Sequence, residues 1–337
     1  MQLQENVNLA AYNTFHIEAT ASKMVVVHQL DELIDWLGQH ASEINKFKIL
    51  GGGSNVLLTQ SIHGILLKNE LKGIEIIHED DDVVDVRFQS GENWHNCVLW
   101  AVEHQLGGIE NLALIPGTIG AAPIQNIGAY GVELKDVFLS CTALHLATTQ
   151  LKTFTAAECK FGYRDSIFKH EAKETYFITS VTLRLAKHPI YKTDYGDIQR
   201  VIQEEFAGQV SLDTISKSVI RIRTSKLPDP TVIGNAGSFF KNPVIEESHF
   251  QKLKTEYNQM PSFAVPQGVK IPAAWLIEQC GWKGYREGNI GVHDRQALVL
   301  VHHGQGRGED ILDLSTRIIT SVQQRFNITL EREVNIW

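Results

Sequence analysis

The stretch Phe47-Lys-Ile-Leu-Gly-Gly-Gly-Ser-Asn-Val-Leu-Leu58 decides the fold class. A short apolar strand, Phe47 to Leu50, runs into Gly51-Gly52-Gly53-Ser54-Asn55. That loop offers several backbone N–H groups and two short polar side chains, which suits an anionic pyrophosphate in the manner of an amide nest. It is not the dinucleotide fingerprint, because a Gly-x-Gly-x-x-Gly starting at Gly51 needs glycine where Val56 stands. No Gly-Lys-Ser/Thr is present, so it is not a P-loop either. No amphipathic helix follows; Val56-Leu57-Leu58 and then Ile65-Leu66-Leu67 are short and apolar, so the loop joins strand to strand. Taken alone, the loop reads equally as a phosphate cradle or as a tight structural turn, since glycine-rich turns are common.

Working outward, Met24 to Val27 reads as a strand, and Leu30, Leu33, Ile34 and Leu37 follow helical spacing, with Asp31 as a candidate cap. Beyond the loop, Ile74 to Ile77 and the alternating Val84, Val86 and Phe88 flank the acidic run Glu79 to Asp82, the pattern of a hairpin with a solvated turn. A helix is expected from Trp94 to Gln105, stopped by Gly107-Gly108. The segment Asn111 to Gly131 is rich in Gly, Ala and amides and poor in charge, so its backbone can approach a flat ligand closely. Strands are expected at Ala143 to Leu146 and Phe177 to Leu185. Leu212, Ile215, Val219 and Ile222 form one helical stripe, and Ile311, Leu314, Ile318, Val322 and Phe326 another. A helix from Ala273 to Cys280 ends at Gly281, and a last strand is expected from Ile328 to Val334, with Glu331 and Glu333 on one face. The sum is an α+β chain with three lobes.

Composition narrows the function. The chain of 337 residues carries a formal net charge of -8, which argues against general nucleic-acid binding. No apolar run reaches the roughly 20 residues a membrane-spanning helix needs. Met1 to Tyr12 lacks the basic-then-apolar pattern of a signal peptide. The four cysteines are scattered, with no Cys-x-x-Cys and no His-Glu-x-x-His, so the expectation is a cytoplasmic protein with reduced thiols and no metal site.

Three further stretches concentrate unusual chemistry: Gly162-Tyr-Arg-Asp-Ser166, Gly234-Asn-Ala-Gly-Ser-Phe-Phe-Lys-Asn-Pro243 and Leu330-Glu-Arg-Glu-Val334. Each has a plain alternative: Arg164 as a surface ion pair, Ser238 as the opening of a strand, Glu333 on a solvated face. With Tyr12-Asn-Thr-Phe15, Gly51 to Asn55, Asn111 to Gly131 and Lys226-Leu-Pro-Asp-Pro230, in this order, they closely resemble the UDP-N-acetylenolpyruvoylglucosamine reductase family, type I, over nearly the whole chain.

The resemblance implies a two-lobed, PCMH-type FAD-binding region, lobe 1 over residues 1–70 and lobe 2 over 71–211 (its fold continuing to about 188), with a substrate-binding domain over 212–337 whose last strand returns Glu333 to the active site. It implies non-covalent FAD, held by Gly51, Gly52, Gly53, Ser54 and Asn55 together with Pro116, Gly117, Thr118, Gly120, Ala121, Ile127 and Gly128. It implies NADPH as reductant and UDP-N-acetylglucosamine-enolpyruvate as substrate, reduced to UDP-N-acetylmuramate for bacterial peptidoglycan synthesis by a monomeric enzyme. Arg164, helped by Glu333, is the implied stabiliser of the enolate, and Ser238 the implied proton donor. Tyr195, Lys226 and Asn242 match substrate-contacting positions, and Arg223 and Lys241 suit the charge of a phosphate. Two positions depart from the family's habit. Asn335 stands where an arginine is frequent, and the Pro261 to Pro266 loop carries Phe263 in place of a tyrosine. The competing readings are another PCMH-type flavin oxidoreductase and a catalytically silent flavin- or UDP-sugar-binding protein.

Overall fold

The structure, a computed structural model, describes residues 1–40 and 47–337. By contacts the chain divides into two compact units. The first takes Met1–Val7, Ala21–Gly52 and Ile62–Ser225; the second takes Asn8–Thr20, Gly53–Ser61 and Lys226–Trp337.

The first unit contains two large sheets and a two-stranded one, Gly128–Ala129 with Val132–Glu133. One has the strand order Leu3–Asn8, Thr20–Val27, Ile62–Asn69, Phe47–Leu50. Its Ile62–Asn69 strand is parallel to both of its neighbours and buried along most of its length, as its unbroken Ile-Leu-Leu run requires. The helix Leu30–Gln39 supplies Leu33, Trp36 and Leu37 to the core beneath this sheet. Gln29, not Asp31, holds the cap position and makes no side-chain cap bond. Asp31 lies in the first turn, where its charge still favours the helix N-terminus.

The other sheet is antiparallel, with five strands ordered Leu151–Thr155, Phe138–His145, Tyr176–Ala186, Val83–Gln89, Ile74–Glu79. The acidic run forms the expected hairpin turn; Asp80 accepts N–H bonds from Asp82 and Val83, which hold its carboxyl below the usual range. The helix Trp94–Glu103 starts at Asn93, whose side chain accepts the Asn96 N–H at 3.0 Å. It stops earlier than Gly107-Gly108 suggests, because Gln105 itself takes the left-handed conformation at φ +58°. The stripe Ile215, Val219 and Ile222 of the helix Leu212–Lys226 is buried in the core of this unit.

The second unit holds a four-stranded sheet ordered Gly234–Ser238, Val299–His302, Ile290–Val292, Arg286–Glu287, and a three-stranded one ordered Val244–Ile245, Gly268–Lys270, Phe263–Val265. The helix Gly308–Phe326 buries Ile311, Leu314, Ile318, Val322 and Phe326, and ends at Asn327 in the left-handed region. The helix Ala273–Gln279 ends as expected at Cys280, with Gly281 at φ +80°.

The closing segment is not one continuous strand from Ile328 to Val334. It pairs with Phe239–Lys241 only around the bridge Phe240↔Arg332, through Lys241 N–H to Glu331 O at 2.9 Å and Glu333 N–H to Phe239 O at 2.8 Å. The next donor in that ladder is Pro243, which has no N–H, so pairing stops there. The chain then changes partner, and Asn335–Ile336 runs parallel to Val56–Leu57.

Candidate active site

In the first unit, the two glycine-rich loops meet. A Cβ on Gly51 would lie 2.5 Å from Thr118 Oγ1, and one on Gly52 would lie 3.0 Å from Gly117 Cα. Gly51 is thus held against the Thr118 side chain and Gly52 against the Gly117 backbone, leaving little room for a Cβ at either. Gly120 packs the same way on Ser90, donating its N–H to Ser90 O at 2.8 Å. Thr118 Oγ1 is buried and has no hydrogen-bond partner among the described residues. A native protein rarely leaves such a hydroxyl unsatisfied, so this atom, at the floor of a glycine cradle, fits a bound polar ligand. Gly51, Gly52, Gly117, Thr118 and Gly120 thus lie together where the two loops meet.

The Gly162–Ser166 turn docks on the far end of the same segment at alternate residues. Ser166 Oγ donates to Ile124 O at 2.8 Å, Asn126 Nδ2 to Gly162 O at 2.9 Å, and Arg164 Nη2 to Gly128 O at 2.5 Å. Arg164 itself stands at φ +54°, in the left-handed region that costs a non-glycine residue about 1–2 kcal/mol. Arg164 is half-buried. Ile127 and Gly128 thus lie beside the arginine on one short stretch of chain.

Arg223 is half-buried in the same unit. Its Nε donates to Leu114 O at 3.3 Å, and His95 Nδ1 accepts the Leu114 N–H at 3.0 Å. Leu114 is another left-handed residue, at φ +58°, and both side chains grip its peptide groups just before Pro116. Burial lowers the pKa of Arg223, and the nearby positive charge of Arg164 adds to the effect while Tyr130 opposes it. Burial, then the charge of Arg223, likewise lowers the pKa of His95. Tyr195 packs edge-on against Tyr130 with ring centroids 6.3 Å apart and is half exposed. Asn111 Nδ2 donates to Tyr130 O and to Lys192 O, tying the approach to Tyr195 onto the glycine-rich segment.

In the second unit, Gly53 stands at φ +65°, and a Cβ there would fall 1.9 Å from Tyr12 O. From this point a hydrogen-bonded circuit can be followed. Thr14 N–H donates to Gly53 O at 3.1 Å, and Asn235 N–H donates to Thr14 O at 2.9 Å. Asn235 lies in the strand that ends at Ser238, and Glu333 N–H donates to Phe239 O. Asn55 Nδ2 donates to Glu333 O at 3.3 Å, while Asn335 donates to Asn55 O from both its backbone, at 3.2 Å, and its side chain, at 2.9 Å. Gly53, Asn55, Ser238 and Glu333, expected from separate motifs, therefore share one bonded framework. Ser238 is exposed, and Glu333 half-buried.

The remaining expected residues of this unit are engaged in other ways. Lys241 pairs with Glu331, and Asn242 Oδ1 accepts the Ala273 N–H at 2.9 Å, starting a helix. Lys226 is exposed at the end of its helix. Phe263 is 49% exposed, with Lys270 Nζ 5.9 Å from its ring centroid, so it is available to a planar ligand. Sequence reasoning passed over Thr14, His95 and Asn126. Thr14 and Asn126 are visible only inside longer stretches, Tyr12-Asn-Thr-Phe15 and Asn111 to Gly131, and His95 carries no local signal.

The first unit carries a glycine cradle and the second a serine on a bonded framework, and the class of the protein, a flavin-binding oxidoreductase, follows from what the chain is similar to. Residues 21–154 match the FAD-binding domain family, and residues 229–337 match the family described as UDP-N-acetylenolpyruvoylglucosamine reductase, C-terminal domain. The chain is 49% identical to the UDP-N-acetylenolpyruvoylglucosamine reductase of Flavobacterium johnsoniae, with all of both chains covered. It is 44% identical to that of Chromobacterium violaceum, with 99% of this chain and 98% of the relative covered. The fold is similar to that of the UDP-N-acetylenolpyruvylglucosamine reductase of Thermus caldophilus, with a TM-score of 0.70, 23% identity, and 100% and 99% of the two chains covered. The chain belongs to the UDP-N-acetylenolpyruvoylglucosamine reductase family, whose cofactor is FAD and whose reductant is NADPH. Among the described residues no helix is long and apolar enough to cross a membrane, and no group of His, Cys, Asp and Glu is arranged to hold a metal ion.

Proposed function

We propose that this protein reduces the enolpyruvyl group of UDP-N-acetylglucosamine-enolpyruvate to give UDP-N-acetylmuramate, with Arg164, Glu333 and Ser238 as its catalytic residues, acting as a monomer. The observation that carries the reading is the ladder bond from Glu333 N–H to Phe239 O at 2.8 Å, which sets the glutamate strand across from the residue next to Ser238. Bound FAD, once reduced by NADPH, supplies the hydride that adds to the methylene carbon of the substrate. Everything else is work for the protein's own groups. Addition at that carbon leaves an electron pair on its neighbour, delocalised into the carboxylate. The Arg164 guanidinium, already fixed by Gly128, offers preorganised positive charge to this enolate and lowers its energy. Ser238 Oγ–H then gives its proton to the carbanionic carbon, forming the second C–H bond and leaving an alkoxide that recovers a proton from solvent. Serine is a weak acid, but an enolate carbon is basic enough to take its proton. Glu333 supports the charge distribution at the same centre.

Substrate binding falls to Tyr195, Arg223, Lys226, Lys241 and Asn242. Arg223 and Lys241, as cations, suit a diphosphate. Gly51, Gly52, Gly53, Ser54, Asn55, Pro116, Gly117, Thr118, Gly120, Ala121, Ile127 and Gly128 hold FAD.

The test is stopped-flow of the two half-reactions separately. NADPH should bleach the flavin of the Ser238→Ala protein at close to the wild-type rate, while its reoxidation by the enolpyruvyl substrate slows at least about 1000-fold. Ser238→Cys should retain the second half-reaction, because a thiol can also donate. Equal slowing of both half-reactions by Ser238→Ala would show that the serine is structural.

A further inference from the structure

We propose that Asn235 is the residue that positions Ser238, through a β-bulge that it holds open from within the core. The inference rests on the reading of Ser238 as the proton donor, and it adds a residue for which that reading has no role.

The geometry begins with the register. Gly234 pairs with His302 and Asn235 with Val301, but the next pair is Ser238 with Val299. Three steps along one strand therefore match two along the other, so one extra residue is inserted between Asn235 and Ser238. Because side chains alternate across a strand, one inserted residue reverses the face of everything beyond it. Without the bulge, Ser238 would stand opposite Leu298 and point to the other side of the sheet. With it, Ser238 is exposed, while Phe239 packs into the core edge-on to Phe15 at 6.3 Å.

Two features keep the bulge. The first is Gly237 at φ +67°, with no heavy atom within 4 Å of where a Cβ would be. Glycine is thus required there by backbone conformation and not by crowding. The second is an acceptor for the Gly237 N–H, which the bulge has turned out of the ladder. Asn235 Oδ1 supplies it at 2.9 Å. The amide nitrogen of the same side chain donates to Ile233 O at 2.9 Å and to Pro228 O at 3.2 Å. Asn235 is 4% exposed, so both ends of the amide are used inside the protein. Its bond to Pro228 also fixes the segment that begins at Lys226, so one buried amide sets the serine and the approach to a proposed substrate lysine together. No other residue type of this size offers both two donors and an acceptor on one rigid plane.

Asn235→Asp is the direct test, because it keeps the shape and replaces the donor nitrogen with an oxygen facing two carbonyl oxygens. In the FAD-loaded protein, flavin reduction by NADPH should stay within about twofold of wild type. Reoxidation by UDP-N-acetylglucosamine-enolpyruvate should slow on the order of 100-fold, the scale of a 1 Å misplacement of a reacting group. The solvent deuterium isotope effect on that step should rise, since proton transfer is the step that a displaced hydroxyl impairs. If Asn235→Asp does not fold, Gly237 decides. Gly237→Val should slow the second half-reaction selectively, while Gly237→Asn, which tolerates the left-handed conformation, should restore most of it. A wild-type second half-reaction in Asn235→Asp, equal slowing of both half-reactions, or equal rates for Gly237→Val and Gly237→Asn would overturn the inference. The reading of Ser238 fails by a different result, an intact second half-reaction in Ser238→Ala.

Discussion

Arg164 donates to the Gly128 carbonyl oxygen at 2.5 Å while its own backbone sits in the left-handed region at φ +54°. A glycine would adopt that backbone at no cost, so the side chain is retained against a local penalty. The bond to Gly128 comes from a charged donor and is worth about 1.5–3 kcal/mol, against a backbone strain of about 1–2 kcal/mol.

Arg164→Gly relieves that strain but loses the Gly128 bond and the contact with the Tyr163 ring, so the melting temperature should fall only modestly. The second half-reaction should fall about 100-fold or more, the usual cost of removing a preorganised group that stabilises an oxyanion. Arg164→Lys should recover only part of the rate, since a single ammonium cannot hold Gly128 and present a planar charge at once. Calorimetry alongside stopped-flow checks both statements, and a large loss of stability in Arg164→Gly would contradict the balance.

Thr118 offers a test of the flavin cradle that does not depend on turnover. Its Oγ1 is buried with no hydrogen-bond partner among the described residues. Thr118→Val removes that hydroxyl at nearly constant shape, so flavin-free protein should melt at the same temperature or higher. FAD affinity should weaken about tenfold, equivalent to about 1.4 kcal/mol for one lost hydrogen bond. Titration followed by flavin fluorescence measures it, and unchanged affinity would mean that the hydroxyl is no ligand.

The parts of this fold that were legible in the sequence are those with a local period or a backbone demand. The stripe Ile311, Leu314, Ile318, Val322, Phe326 gives its helix away because burial repeats every three or four residues. Gly51 to Gly53 mark a loop because only glycine tolerates the contacts with Thr118, Gly117 and Tyr12. What escaped depends on partners far along the chain. Pro243 ends the pairing of the closing segment 86 residues before its would-be partner Thr329, so Ile328 to Val334 looks like a strand in isolation. The bulge before Ser238 is hidden for the same reason, since register exists only once Val299 and Val301 are in place. Gln105 ended a helix ahead of the two glycines that seemed placed to do so.

The sheet of the first unit carries a pH-dependent element. Asp85 and Arg184 are paired across neighbouring strands, with Nε to Oδ1 and Nη2 to Oδ2 both at 2.8 Å. The bond to Arg184 holds the Asp85 carboxyl below its ordinary range, although burial works the other way. A carboxyl depressed in the folded state stabilises the fold above its unfolded pKa of about 3.9, and that contribution fades as pH falls through the lower folded value. Asp85→Asn should lower the melting temperature at pH 6, and the gap from wild type should close below about pH 4. Arg184 is half exposed, so solvent screening keeps the effect modest. A gap that widens on acidification would show that the pair is not the cause.

Asn335 stands where the family frequently has arginine, and its bonds say what it does here. Its side chain donates to Asn55 O at 2.9 Å, but its backbone N–H already donates to the same oxygen at 3.2 Å. Asn55 in turn reaches Glu333 O through Nδ2 at 3.3 Å. Asn335→Ala keeps the backbone bond and loses an exposed side-chain bond worth well under 1 kcal/mol, so FAD affinity and the second half-reaction should each change less than about threefold. Asn55→Ala removes the donor to the Glu333 peptide and should cost more in the second half-reaction than Asn335→Ala does. If the order is reversed, the Asn335 side chain acts on a ligand directly, as an arginine in its place would, and not through Asn55.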